Sequence, residues 1–433
     1  MNKKLITSFF IYGGSIGISR IFPLLMLPAY LKFLGADSYG RVEVIFSLFN
    51  ILIIFGTLQL ETSLQRYFYS SKNNNLLYSN IICIVGTLSF FIVILTTLLS
   101  NYISILLFNS SQYYIAIIIS SITIFFFNIS TINQVYLRYS DCNHFFLFIN
   151  LLQVLVSISV TYISLAKWNL KESGYFLGLL SGWIVVAFIS SLFILKKLNT
   201  QFEFAIKNNE KIFNFALPQL PARFFSFFVQ FGNRFVVLSI LGIESVAKLS
   251  VAIKFSAVFQ LFMVAFSMIW NPYIYKNEDS NNISKKINKA LNYILLFLVI
   301  SHIITVYFST YIIYAFFPSS LHEVNSYIGI SIVAIELLII KEVVESGIKI
   351  SKKTKFISYA YIISGISMFS LMAFSRSLYD IMISTIIGNY ILVIASWYFS
   401  QKHSKINLPF VGLLFYTIFL IINLILSYNE INK

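Results

Sequence analysis

The chain is predicted to be an all-α polytopic membrane protein with about thirteen spanning helices. Three observations carry that prediction: scarcity of charge, the length of the apolar runs, and the placement of the basic residues. Of 433 residues, 58% are hydrophobic and 11% charged, with a mean hydropathy of +0.82. A soluble domain carries about 25% charged residues and needs them to cover its surface. In lipid, every backbone polar group must be paired internally, so spanning segments are helices or closed-barrel strands. Barrel strands alternate apolar and polar residues. The runs here are continuously apolar and of the length a helix needs to cross hydrocarbon, about 20 residues.

In order, the first run, 5–34, follows Met1-Asn2-Lys3-Lys4. It is long and lacks a small-x-small cleavage site, so it reads as an uncleaved signal anchor. Runs at 42–60, 78–99, 113–137, 145–165 and 174–195 complete a first set of six. Runs at 212–240, 247–273, 290–316, 326–348, 357–375 and 378–399 make a second six, and 408–427 is a thirteenth. With the N-terminus in the cytoplasm, the inside segments hold nineteen Lys and Arg, from Lys3 and Lys4 to Lys402 and Lys405. The outside segments hold five: Arg41, Lys167, Lys171, Arg376 and Lys433. This bias follows the positive-inside rule, and one missed helix would scramble it. It also accounts for most of the net charge of +15, so no nucleic-acid partner is expected. Every loop is short, and the longest, around 196–211 and 274–289, face inside. Cys83 and Cys142 make no metal spacing or disulfide framework, and the four histidines form no cluster along the sequence.

The segment Leu34-Gly35-Ala36-Asp37-Ser38-Tyr39-Gly40-Arg41 is echoed 207 residues later by Leu241-Gly242-Ile243-Glu244-Ser245-Val246-Ala247-Lys248. Both link two spans on the outer side, and both follow a span with two prolines, Pro23 and Pro28 or Pro218 and Pro221. The expectation is two six-helix lobes, 1–196 and 212–400, joined by a cytoplasmic linker at 197–211 and followed by an extra helix within 401–433. An even helix number per lobe orients both alike, with a pseudo-two-fold along the membrane normal and a central cavity between them. Gly174, Gly178 and Gly182 form a GxxxGxxxG stripe, and Gly13 and Gly17 a shorter one, which predicts close helix contact within a lobe. No GxxxxGK[ST] follows, so transport would be secondary or powered elsewhere.

A charge at mid-bilayer costs at least ~3 kcal/mol and normally faces water or a partner. Arg20 lies midway along the first span, Arg223 and Arg234 on the seventh, and Lys254 on the eighth. Arg223 and Arg234 share a helix face about three turns, or roughly 16 Å, apart. None of the four has an acid at helical spacing within its own span. Cations in a cavity suit an anionic cargo, and Arg can grip phosphate in a bidentate fork. The alternative is snorkelling, with Arg223 reaching the inner surface, Arg234 the outer surface, and Lys254 either interface or cavity. The tenth span carries Glu336, Lys341, Glu342 and Glu345. Lys341 and Glu345 can pair at i,i+4. Glu336 has no such local partner. Glu336 and Glu345 are candidates for ion coupling, with H+ and Na+ both open, against a structural pairing near the inner interface.

These residues resemble the polysaccharide-exporter branch of the multidrug/oligosaccharidyl-lipid/polysaccharide (MOP) exporter superfamily, in particular the Wzx O-antigen flippases. The resemblance rests on Leu27-Pro28-x-Tyr30-Leu31-x-x-Leu34-Gly35 with Asp37-Ser38-Tyr39-Gly40, and on Arg66 after the second span. It rests further on Ala216-Leu217-Pro218-Gln219-Leu220-Pro221 opening the seventh span, Asn233-Arg234, Trp270-Asn271-Pro272, and Lys352-Lys353-Thr354-Lys355. An Asp often precedes the arginine in that family, where Asn233 stands here, so a carboxylate role at that position is in doubt. The resemblance implies a MATE-like fold of twelve helices plus one. It implies a flippase, not an enzyme, that moves undecaprenyl-pyrophosphate-linked oligosaccharide, an O-antigen or capsule repeat unit, to the outer leaflet of the bacterial inner membrane by alternating access. Membrane lipid, an O-antigen polymerase and a chain-length regulator are the implied partners, and no cofactor is expected. Rival readings are a peptidoglycan lipid-precursor flippase and a multidrug antiporter of the same fold. A membrane polymerase or ligase fits less well, because the longest outer segment, around 100–112, has no acid, base or histidine.

Overall fold

The computed structural model describes residues 3–69, 71, 73–198, 210–276, 282–351, 353, 355–404 and 409–431. All regular structure among them is helical. By contact, the chain divides into two compact units, Met1–Phe224 and Phe225–Lys433.

In the first unit, α1 (Lys3–Thr57) runs through Gly35, where φ 73° and ψ 171° turn the chain between two predicted spans. Left-handed Leu58 and Gln59 then separate it from the short α2 (Leu60–Tyr67). There follow α3 (Asn74–Leu98), α4 (Ser100–Phe108), α5 (Tyr114–Tyr139), α6 (Asn143–Ala166) and α7 (Lys171–Leu198). The side chain of Asn73 caps α3 through the backbone N–H groups of Asn75 and Leu76. The unit closes with α8 (Glu210–Ala216) and the start of α9 (Leu220–Phe227). Its boundary thus falls inside the seventh predicted span, beyond the expected linker, most of which lies outside the described residues. The physical cause is α8, whose Ile212 and Ala216 join the core formed by Leu60, Leu64, Ile81, Ile132 and Ile149. Ser63 also donates to the Ile212 carbonyl at 2.7 Å.

Small polar groups knit this unit where water is absent. Tyr78 donates to Asn133 Oδ1 at 2.6 Å, and Asn133 donates to Ser190 at 2.8 Å and Ser191 at 2.9 Å. Asn128 donates to Ser89 at 2.8 Å. Each such interhelical bond stabilises by about 1 kcal/mol. The glycine stripe on α7 lies against α6, as close helix approach requires: a Cβ on Gly178 would sit 2.7 Å from the Ser157 carbonyl oxygen, and one on Gly182 2.9 Å from that of Gln153.

The second unit continues with a π-helical turn, Phe228–Gly232, then α10 (Asn233–Leu241) and α11 (Ile243–Phe255). Gly242 between them has φ 83° and ψ −177°, nearly the conformation of Gly35, 207 positions earlier. Helix α12 (Ala257–Lys276) is bent 47° from α11. Then come α13 (Ile283–Phe316), α14 (Asn325–Val344), α15 (Ser346–Ile350), α16 (Lys355–Met372), α17 (Leu378–His403) and α18 (Phe410–Ile431). The start of α17 also lies 207 residues after that of α7. The recurrence therefore extends from the glycine turns to the last helix of each predicted six.

Helix α14 is largely enclosed by protein. It packs against α11, α13, α17 and α18, and every residue from Ile328 to Lys341 is buried apart from Ala334 and Ile335. Ser331 donates to the Ala252 carbonyl on α11, and Asn389 on α17 donates to the Ala334 carbonyl, each at 2.8 Å.

Ten described helices are long and apolar enough to cross a membrane, eleven if the bent pair α11–α12 counts as one span. The predicted thirteen is not reached by that measure, and the difference is local. Helix α1 counts once, although the backbone break at Gly35 makes it two helices meeting at a kink. Helix α14 carries Glu336, Lys341 and Glu342, and protein on its sides is what allows those charges at depth. The thirteenth predicted span is present as α18, apolar over Val411–Glu430.

Candidate functional site

The predicted basic residues fall into different surroundings. Arg20 lies on α1, but its side chain is outside the described residues. Arg223, on α9, is exposed and close enough to Glu61 on α2 for the two charges to interact. Arg234 begins α10 directly after the π-helical turn and is only 3% exposed. Its Nε donates to Ser250 Oγ at 3.2 Å, one terminal nitrogen donates to the Gln230 carbonyl at 3.4 Å, and the guanidinium lies 5.4 Å from the Phe231 ring centroid. The extra residue in the π turn widens the helix just where Arg234 enters, a common device at functional positions. Half-buried Lys254 follows Ser250 by one turn of α11, on the same helix face. The structure therefore brings Arg234 and Lys254 to one stretch of the α10–α11 pair.

The two predicted acids differ sharply. Glu345 lies 2.6 Å from Lys341 and 2.7 Å from Lys349. Lys349 also reaches Glu342 at 2.6 Å and donates to Asn271 Oδ1 at 2.8 Å. This is an alternating ladder in which each charge is answered along the helix, the arrangement of a structural tie between α12, α14 and α15.

Glu336 is fully buried and meets partners from two other helices. His302 Nδ1 on α13 lies 3.2 Å from Oε2 and 3.3 Å from Oε1. The Tyr416 hydroxyl on α18 donates to Oε2 at 2.9 Å. Asn423, two turns further along α18, places its side-chain amide on His302 Nε2. Phe419 meets the imidazole edge-on at 5.1 Å, and Ser427 lies 3.5 Å from Asn423 Oδ1. Gly329 makes room for that amide, since a Cβ there would come within 2.8 Å of Oδ1.

His302, Tyr416, Asn423 and Ser250 are not among the residues that the sequence singles out. For His302 the available signal was a lone imidazole within an apolar run. Tyr416 and Asn423 are spaced seven apart in another, and with Leu420 and Ser427 they mark one face of α18. That face is buried or half-buried, while Leu414, Phe415, Ile418, Ile421, Ile422 and Ile425 are exposed, as lipid-facing residues would be. Among the described residues, no group of three or more His, Cys, Asp and Glu could hold a metal ion.

Residues 5–278 match the family described as "Polysaccharide biosynthesis protein". No curated protein matches the chain. Solved structures of the same fold include the lipid II flippase MurJ in an inward closed conformation, at 20% identity, covering 96% of this chain and 90% of that one, with a TM-score of 0.76. An inward-facing MATE multidrug resistance transporter of the MOP superfamily aligns at 12% identity over 89% of this chain and 94% of its own, with a TM-score of 0.70. A MOP superfamily transporter from Pyrococcus furiosus, whose binding pocket is described as reversed in polarity, aligns at 13% identity over 92% and 94%, with a TM-score of 0.67. At these identities the likeness establishes the fold alone: an all-α architecture of the MATE and MurJ type.

Proposed function

The chain belongs to the polysaccharide biosynthesis protein family, and on that premise we propose that it is a flippase for undecaprenyl-pyrophosphate-linked oligosaccharide. It moves O-antigen or capsule repeat units from the inner to the outer leaflet of the bacterial cytoplasmic membrane by alternating access, with its N-terminus in the cytoplasm. The working lobes are 1–196 and 212–400, with 197–211 as the linker and 401–433 as the added helix. The observation that carries this reading is nearly inaccessible Arg234, held by Ser250 of α11, with Lys254 one helical turn beyond that serine. Basic side chains within apolar helices suit the negative charge of a pyrophosphate headgroup, and a guanidinium adds bidentate geometry. Arg20 and Arg223 are the further substrate-binding candidates from the sequence, and the polyprenyl tail remains in lipid.

Of the acids, Glu336 suits ion coupling, because its partners are uncharged or titratable. Glu345, held between two lysines, suits it less.

The test is a deletion strain followed by chemical analysis of lipid-linked repeat units on the inner leaflet. Accumulation there, reversed by the wild-type gene, is the expected result. Arg234→Ala should abolish surface glycan at normal membrane abundance, and Arg234→Lys should restore part of it. Normal glycan in the deletion strain would reject the assignment. A second reading, a peptidoglycan lipid-precursor flippase, draws on the overlay with the lipid II flippase. Under that reading the deletion would stop wall synthesis rather than remove a surface glycan.

A further inference from the structure

We propose that Glu336, His302, Tyr416 and Asn423 form a proton-binding site between α13, α14 and α18, and that its occupancy sets how α18 is docked on the second unit. The proposal deepens the coupling role given to Glu336 above and rests on it, but it needs no assumption about the cargo.

The site has the composition of a proton store. A neutral imidazole beside a carboxylate carries a net charge of minus one. One added proton makes the pair neutral, whether it resides on the ring or on the carboxyl, because the two groups share it across a direct hydrogen bond. Net charge at this depth is costly unless water enters, so the loaded pair suits the closed arrangement and the emptied pair favours opening to water.

Asn423 fits both states. In the arrangement seen, its NH2 faces His302 Nε2, so that nitrogen accepts and Nδ1–H donates to Glu336. Turning the amide over presents Oδ1 instead, which accepts from a protonated Nε2. The space above Gly329 leaves the amide unobstructed by a Cβ.

Two of the four residues come from α18, which packs on α13 and α14 and exposes most of its other faces. That makes α18 the element whose position can answer to the site. A binding preference for one of two positions is all that such linkage requires.

The other ionisable groups on the elements packed against α14 are, apart from Lys254, mostly paired with one another or near the helix ends. Lys341, Glu342 and Lys349 belong to the ladder with Glu345. Lys248 on α11 pairs with Glu244 and Glu323, and Lys254 lies one turn beyond Ser250. On α17, Asp380 caps its own helix start, and Lys402 and His403 lie in its last turn. The lysines of α13, Lys285, Lys286 and Lys289, sit in its first two turns, and Glu430 ends α18. A proton is favoured over an alkali or alkaline-earth ion because hard cations take shells of oxygen ligands, whereas here an imidazole nitrogen occupies one side of the carboxylate.

The full-length chain, with Cys83→Ala and Cys142→Ala, would carry spin labels at Ile303→Cys on α13 and Ile422→Cys on α18, both exposed positions. Reconstituted in lipid nanodiscs without substrate, it would be followed by double electron–electron resonance between pH 5 and pH 9. Two distance populations should exchange along a one-proton curve, with their ratio changing about tenfold per pH unit on its steep limb. The longer distance should dominate at high pH. Glu336→Gln should abolish the response. Tyr416→Phe, which removes one hydrogen bond and little volume, should keep it with its midpoint displaced by about one pH unit. A pH-independent distance, a response that survives Glu336→Gln, a Tyr416→Phe midpoint that does not move, or a shift driven by Na+ at fixed pH would each overturn the proposal. If the chain exports glycan normally yet shows no pH response, only this site fails. If the response is intact but no glycan is exported, the transport reading fails and the site stands.

Discussion

Replacing Gly178 by Ala tests how closely α6 and α7 approach. A Cβ at that position would lie 2.7 Å from the Ser157 carbonyl oxygen and 2.8 Å from Thr161 Cβ, and it would also strike Thr161 Oγ1. Ordinary carbon–oxygen contacts begin at about 3.3 Å, so the overlap with the carbonyl is roughly 0.6 Å. Thr161 can turn away only by giving up its hydrogen bond with Tyr30. The carbonyl belongs to the backbone of α6, so the helices themselves must part. Overpacking of this kind costs about 1–3 kcal/mol, offset by about 0.5–1 kcal/mol for replacing a mid-helix glycine by Ala. Gly86→Ala on α3 is the control, since its Cβ would meet only Ile129 Cδ1 at an ordinary 3.5 Å and should gain the propensity term alone. The two variants should therefore differ by about 2 kcal/mol, which is roughly 4–8 °C in melting midpoint for a unit of this size. Fluorescence-detected size-exclusion melting in detergent measures it. Equal midpoints for the two variants would refute the close-contact reasoning.

Three other outcomes follow from the same geometry. Glu345→Ala leaves buried Lys341 with only Glu342 at 3.8 Å, while Lys349 keeps Glu342 and Asn271, and should cost about 3 kcal/mol, whereas Glu323→Ala, which removes an exposed partner of Lys248, should cost at most about 1 kcal/mol; comparable melting losses would show that the ladder is not buried as described. Gly35→Ala and Gly242→Ala each force a side chain into a backbone region that glycine alone occupies readily, at about 1–3 kcal/mol; two variants as stable as wild type would mean that the turns differ from those seen. Ser377→Ala removes the hydroxyl that accepts from the Asp380 backbone N–H in the capping box of α17 and should lower stability by about 1 kcal/mol, read as a small drop in melting midpoint that Ser377→Thr does not reproduce.

The spans were legible because run length and charge scarcity are properties of consecutive residues. The echo of Leu34-Gly35 in Leu241-Gly242 was legible for a related reason: both glycines serve the same left-handed turn, and few other residues can. The glycine stripe could likewise be read from spacing alone, since it marks the one face of α7 that allows backbone approach. Misreadings arose where the solvent removed the signal. In water, an amphipathic stripe announces which face of a helix is buried. In lipid the exposed face is as apolar as the buried one, so α18 gave no clear sign that Tyr416, Leu420 and Asn423 face protein. The partners of Glu336 stand on α13 and α18, at sequence distances that no helical spacing reveals.

Sequence by itself determined that the chain lives in a bilayer, that it crosses as helices, and that the Leu34-Gly35 segment recurs after an interval of 207 residues. Each of these depends on local composition and its periodicity. Only the tertiary structure decided that His302, Tyr416 and Asn423 gather around Glu336, that Glu345 is bound on both sides, and that the seventh span is shared between two compact units. Those outcomes depend on how each helix is rotated about its axis and which helix stands beside it. Side-chain packing and a few interhelical hydrogen bonds settle both, because lipid tails favour no one face of an apolar helix over another.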